Sequence, residues 1–196
     1  MQLVNSFLHL GNKLQSSSLT MKISSKFVLS LFILLMANYS YSQDTIHWRP
    51  DYKLKWEDFQ GAADTTSEYK AISSPAISYN LLSSEKKFSV KVSCYFYKSK
   101  SWTKSRSDNL LAHEQGHFDI AELFARKLRE RFSIYKYNAS SIRNDFREIY
   151  NKILDEKDKM DSLYDKETNF SRNKTNQIYW TKKIAQELKR MNKFKE

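Results

Sequence analysis

Apolar and polar residues alternate in two stretches of the N-terminal half. Ile77, Tyr79 and Leu81 are separated by polar positions, and Phe88, Val90, Val92, Cys94 and Phe96 alternate with Ser89, Lys91, Ser93 and Tyr95. A period of two sends successive side chains to opposite faces, so each stretch reads as a strand with one face toward a core. Ser83-Ser-Glu-Lys86 lies between them and predicts an antiparallel hairpin, while Trp48, Leu54, Trp56 and Phe59 mark an extended segment ahead of it. Cys94 falls on the inward face and reads as a small buried hydrophobe. After Trp102 the spacing changes to threes and fours. Leu110, His113, His117, Ile120, Phe124 and Leu128 share one helical stripe, with Ser107 or Asp108 as N-cap.

A second helix is expected from about residue 140 to 168. Ile142, Phe146, Ile149, Ile153, Met160, Tyr164 and Glu167 fall within a narrow arc at about 100° per residue, interrupted once by Lys157. Asn169-Phe-Ser-Arg-Asn173 breaks the period. A third helix follows from about Asn176, with Trp180, Ile184, Leu188 and Met191 on one side. No internal repeat, Pro/Gly-rich linker or long charge block divides the chain after residue 42. Residues 43–196 therefore read as a single α+β domain, a small N-terminal antiparallel sheet packed on a C-terminal helical part.

The first 42 residues read differently. They hold no acidic residue, and Lys22 and Lys26 precede the apolar run Phe27-Val-Leu-Ser-Leu-Phe-Ile-Leu-Leu-Met-Ala37. Ser40 and Ser42 then precede Gln43. A basic start, a short apolar middle and small residues before a cut make a secretory signal peptide over 21–42, with the mature chain beginning at Gln43. The run is too short to span a bilayer, so no stable membrane anchor is expected after cleavage. Residues 1–20 are expected to be an unstructured upstream extension, because Met21 stands where such a signal should start. Export agrees with a single cysteine, which cannot form an internal disulfide and leaves the fold to packing alone.

Charge and composition exclude more than they identify. With 3 Gly, 2 Pro and 40% hydrophobic residues the chain is neither collagen-like nor low-complexity. Its formal net charge of +11 is spread along the sequence, and no compact Lys/Arg run with interleaved aromatics suggests a nucleic-acid partner.

The chemistry is concentrated in His113-Glu114-Gln115-Gly116-His117. Histidines four apart on a helix project from adjacent turns of one face, so both imidazoles can reach one Zn²⁺. Glu114, one residue on, stands beside such an ion, where a carboxylate can act as general base. With 4 His and 11 Glu in the chain, a chance match to H-E-x-x-H is expected roughly once in two hundred such sequences. Gly116 inside a helix costs roughly 1 kcal/mol relative to Ala, which close approach of a neighbouring element would offset.

A zinc site needs a third protein ligand. His47 stands before the first strand and reads as a sheet-edge residue. Asp119 and Glu122 point away from the His113/His117 stripe. On the second helix Glu167 extends the Met160/Tyr164 line, whereas Asp165 points toward the opposite side. Glu167 is thus the expected third ligand, although an acidic residue near a helix end is also an ordinary feature.

Several blocks taken together resemble a known family. Leu54-Lys-Trp-Glu-Asp-Phe-Gln-Gly61, Ser101-Trp102, Leu110-Leu-Ala-His-Glu-Gln-Gly-His-Phe-Asp-Ile120, Tyr164-Asp-Lys-Glu-Thr168, and Gln177 with Trp180 are similar to the family called domain of unknown function 922, described as predicted secreted zinc-dependent proteases. The resemblance implies an H-E-x-x-H hydrolase in which His113 and His117 bind zinc and Glu114 is the base. It also shows a departure: the family pattern after Tyr-Asp-x-Glu-Thr-x usually has a histidine, and this chain has Phe170.

The expected function is a secreted or periplasmic zinc metallopeptidase acting on peptide or protein substrates. Zn²⁺ would be held by His113, His117 and Glu167, with Glu114 as base. Tyr164, one turn before Glu167, is placed to donate a hydrogen bond to a developing oxyanion or else to serve as a core tyrosine. The rival expectation, motivated by Phe170, is a non-catalytic exported binding module that keeps the same fold.

Overall fold

The computed structural model describes residues 44–196. The extension over 1–20, the signal peptide over 21–42 and the cut before Gln43 lie outside them. Strand β1 (Thr45–His47) opens the described chain, followed by a 3-10 turn at Trp56–Asp58, β2 (Ala71–Ile72), β3 (Pro75–Ser83), β4 (Phe88–Tyr97) and β5 (Trp102–Thr103). Three helices complete the fold: α1 (Asp108–Ser133), α2 (Ile142–Thr168) and α3 (Lys174–Arg190). The predicted α+β organisation is what the chain adopts, and no described helix is long and apolar enough to cross a membrane.

The hairpin forms as the alternation requires. β3 and β4 pair antiparallel from Pro75↔Phe96 to Ser83↔Phe88, and β1 adds to the other edge of β4 to give the order β1-β4-β3. Val92, Cys94 and Phe96 are buried on one face of β4, and burial holds the Cys94 thiol well above its usual pKa. This face lies against α1: Phe96 meets Phe118 at 5.7 Å between ring centroids, and Tyr79 meets Phe132 at 5.3 Å.

Helix α1 starts where the sequence suggests. Ser107 is its N-cap, and its side chain accepts from the Leu110 amide. The single predicted stripe, however, understates its burial. α1 packs on the β1-β4-β3 sheet, on α2 and on α3, so Glu122 and Arg126 are buried along with Phe118, Ile120, Leu123 and Leu128. Glu122 is accommodated by Arg126 Nε at 2.8 Å and Arg129 Nη1 at 3.1 Å, which supply opposite charge and hydrogen bonds together.

The N-terminal segment is pinned onto α1 beside the histidine motif. Leu54 N–H donates to Gln115 Oε1 at 2.8 Å, and Trp48 Nε1 donates to Asp119 Oδ1 at 2.8 Å. Asp119 and Glu122 are therefore engaged elsewhere, as expected, and exposed His47 ends β1 opposite Tyr95.

The buried residues of α2 are Ile142, Phe146, Ile153, Tyr164 and Thr168. Ile142, Ile153 and Tyr164 are eleven apart, and so are Phe146, Lys157 and Thr168. At about 100° per residue an eleven-residue spacing advances the buried line by roughly 20° each time, so the line drifts instead of holding one direction. Lys157, the apparent interruption, lies on this repeat. Its side chain is only 14% exposed, and its Nζ is 2.7 Å from Asp161 Oδ2. The helix ends at Asn169 in the left-handed conformation, and α3 begins after Asn173, whose side chain accepts from Asn176 N–H at 3.1 Å.

Candidate metal centre

Helix α1 presents His113 and His117 toward the C-terminal half of α2, and both imidazoles are anchored through Nδ1. His113 Nδ1 lies 3.1 Å from Gln177 Oε1 on α3, and His117 Nδ1 lies 2.8 Å from Asp161 Oδ1 on α2. Each partner is an acceptor, so each Nδ1 carries a proton, and each Nε2 is the atom left to offer a lone pair to a bound cation. Both Nε2 atoms face one carboxylate oxygen, Asp165 Oδ1, at 3.1 Å from His113 and 3.0 Å from His117. The three ligand atoms lie within 4.8 Å of one another. Such separations suit ligands that share one first-row cation at about 2.0 to 2.2 Å. The carboxylate or amide behind each imidazole is the outer support that metal-ligating histidines usually have.

This ligand set corrects the sequence reading. Glu167 is exposed and its Oε2 accepts from Trp180 Nε1 at 2.7 Å, so it faces α3 and not the histidines. Asp165, expected from the sequence on the far side of the helix, is the carboxylate that meets both histidines and completes a group able to hold a metal ion. The reason is the drift of α2. Extended at a fixed angle from Ile142, the stripe leads to Glu167. On the drifting line, Tyr164 and Thr168 mark the centre, and Asp165 and Glu167 flank it by about 80° on opposite sides. Trp180 occupies the Glu167 flank, and the histidines meet the other.

Tyr164 is corrected as well. Its hydroxyl donates to the His113 carbonyl at 3.0 Å and accepts from Gln177 Nε2 at 2.6 Å, and the residue is fully buried. Its ring stacks on His113 at 4.6 Å, and burial raises its hydroxyl pKa further from neutrality. Tyr164 thus positions His113 and has no free donor for a reacting group. It also explains Gly116: a Cβ there would meet the Tyr164 hydroxyl oxygen at 2.2 Å. Glycine is required because α2 approaches α1 through this ring.

Electrostatics reinforce the arrangement. Burial alone would lower the His117 pKa, but hydrogen bonds with Asp161 and Asp165 push it up to about 10. Burial would raise Asp165, yet hydrogen bonds with His113 and His117 hold its carboxyl well below the usual range. Without a cation, protonated His117 and ionised Asp165 pair at 3.0 Å.

The ligand atoms open into a cavity of about 420 Å³ whose walls come from residues 68–73, from the start of α1 and from the turn after α2. Glu114 lines it, is only 4% exposed, and its carboxylate makes no hydrogen bond or ion pair among the described residues. Strand β2 forms one wall. Lys104 N–H donates to the Lys70 carbonyl at 2.7 Å, and Ala71 and Ile72 pair with Thr103 and Trp102. That register turns the N–H and C=O of Ala71 away from β5, along the open edge of the two-stranded sheet. Phe170 also lines the cavity, and the group of three side chains able to hold a metal ion assembles without any contribution from its position.

Asp161, Asp165 and Gln177 are thus the site residues that periodicity missed. Asp165 and Gln177 stand inside blocks that carried the family resemblance, which was the available signal. Comparison with curated proteins and with solved structures gives no match. The model of a family described as bacterial protein of unknown function, DUF922, matches residues 96–172, from the end of β4 through the motif, Asp161, Asp165 and Phe170, and that segment is what the chain shares with the family.

Proposed function

We propose that the protein is an exported zinc-dependent peptidase with His113, His117 and Asp165 as ligands. The observation that carries this reading is the convergence of two Nε2 atoms and Asp165 Oδ1 beside the unpartnered Glu114 carboxylate, at the inner end of an open cavity. Two imidazoles and one carboxylate form a donor set suited to zinc, and three protein ligands leave a position for the reaction. When bound, zinc supplies Lewis acidity, polarising a carbonyl oxygen and acidifying water. Glu114 accepts the proton of the attacking water and delivers it to the leaving amine. Gln177 and Asp161 fix the imidazole orientations, and Tyr164 holds the backbone of His113 against α2.

Zinc analysis of the purified protein beside its Glu114→Gln variant, with both in a broad peptidase assay, tests the proposal. The expected result is about one zinc per chain in both proteins and hydrolysis at least 100-fold slower in the variant. Zinc retained with no hydrolysis by the wild-type protein would leave the exported binding module in its place.

A further inference from the structure

At the mouth of the cavity two aromatic rings from distant parts of the chain meet. Tyr69, just before β2, is 49% exposed and Phe170, just after α2, is 39% exposed, with centroids 5.6 Å apart and planes tilted by 58°. Both line the cavity, and Ile72 and Leu110 continue the apolar wall. A contiguous exposed apolar surface at a cleft marks a place where something binds.

Phe170 is held there against its own backbone preference. It has φ 51, between Asn169 at 47 and Ser171 at 71, a left-handed run containing no glycine. Hydrogen bonds fix this run. Phe170 N–H donates to the Asp165 carbonyl at 2.9 Å, Asn173 N–H donates to the Thr168 carbonyl at 2.8 Å, and the Asn109 side-chain amide donates to the Ser171 carbonyl. The Phe170 backbone therefore hangs directly from the residue whose carboxylate faces the two histidines. The ring has a set position relative to the reacting centre.

Building on the peptidase reading above, we propose that Tyr69 and Phe170 form the subsite that receives a bulky apolar side chain of an extended peptide. The outward N–H and C=O of Ala71 suit an extended backbone lying along β2. The two ring faces suit an aliphatic or aromatic side chain, whose burial would also remove both rings from water.

The test uses blocked peptides in which one residue, Phe, Leu, Ala or Asp, is moved through each position. Binding to the zinc-loaded Glu114→Gln protein and cleavage by the wild-type protein are measured in parallel. At one position Phe and Leu peptides should be preferred over Ala and Asp peptides by about tenfold or more. Phe170→Ala and Tyr69→Ala should each bring that ratio toward one. Zinc content and melting temperature should stay the same, because both rings are half exposed and outside the core. A preference that persists in both variants, or the lack of any apolar preference in the wild-type protein, overturns the subsite while leaving the peptidase reading intact. Zinc binding with neither peptide binding nor cleavage overturns both.

Discussion

The two halves of α2 follow one packing repeat and carry different chemistry. In the first half Ile142, Phe146 and Ile153 are buried, and Phe146 stacks on Phe132 at 4.0 Å between centroids while meeting Phe88 and Tyr135 edge-on. In the second half the same positions hold Lys157, Tyr164 and Thr168, with Asp161 and Asp165 beside them facing the histidines of α1. One half contributes apolar burial and the other contributes donors whose polar atoms answer one another. The comparison teaches that a helix can keep its packing geometry after its hydrophobic pattern has ended, provided that each buried polar group finds a partner.

The contrast makes the two halves separable by mutation. The largest effect is expected from Phe146→Ala, which empties a fully buried aromatic position and should cost about 3–5 kcal/mol of folding stability by denaturant titration. A loss below about 1 kcal/mol would show that the apolar half does not bear the stability. Asp165→Ala should lower zinc affinity by well over 100-fold while far-ultraviolet circular dichroism stays unchanged, more than the 10- to 100-fold typical of outer-shell losses. Competition with a chromophoric chelator measures it, and an affinity within tenfold of wild type would remove Asp165 from the ligand set.

A smaller effect, in the zinc-free protein, depends on pH. His117 has a folded pKa of about 10 against an ordinary 6.5, so its contribution to stability is complete below about 6.5 and is lost as pH rises toward 10. Asp165 is depressed below its ordinary 3.8, so its contribution is present above about 3.8 and lost in acid. The melting temperature should therefore be highest between about pH 4 and 6.5 and fall on the alkaline side. Bound zinc requires neutral imidazoles and should abolish that alkaline decline, with affinity for the ion rising over the same range. An alkaline profile unchanged in His117→Ala would contradict the assignment. The smallest effect is expected from Glu167→Ala, which removes the acceptor of Trp180 Nε1 and should leave zinc affinity within tenfold of wild type by the same chelator competition. A loss as large as that of Asp165→Ala would restore Glu167 as the ligand.

How far the site was legible follows from the range of each interaction. His113, Glu114 and His117 were readable because i, i+1 and i+4 placement on a helix is local geometry, and Ser107 as N-cap is equally local. The β3–β4 hairpin was readable because alternation and a short connection settle strand pairing. Gly116 was recognisable as a position needing an explanation, but the Tyr164 ring that supplies it comes from 48 positions further along. Tyr164, which the sequence offers either as an oxyanion donor or as a core tyrosine, is buried and holds His113 in place.

Taken alone, the sequence determined the α+β class, the helix carrying two imidazoles with a carboxylate between them, and the breaks that separate α2 from α3. Periodicities of two and of 3.6 arise from backbone geometry within a few residues, so they need no knowledge of neighbours. Only the tertiary structure decided that Asp165 and not Glu167 meets the histidines, that Asp161 and Gln177 stand behind them, and that Phe170 and Tyr69 meet at the mouth of the cavity. Each of these depends on which flank of α2 is covered by Trp180 of α3 and which is open to α1. That choice rests on contacts between segments 13 to 101 residues apart, and no local pattern encodes it.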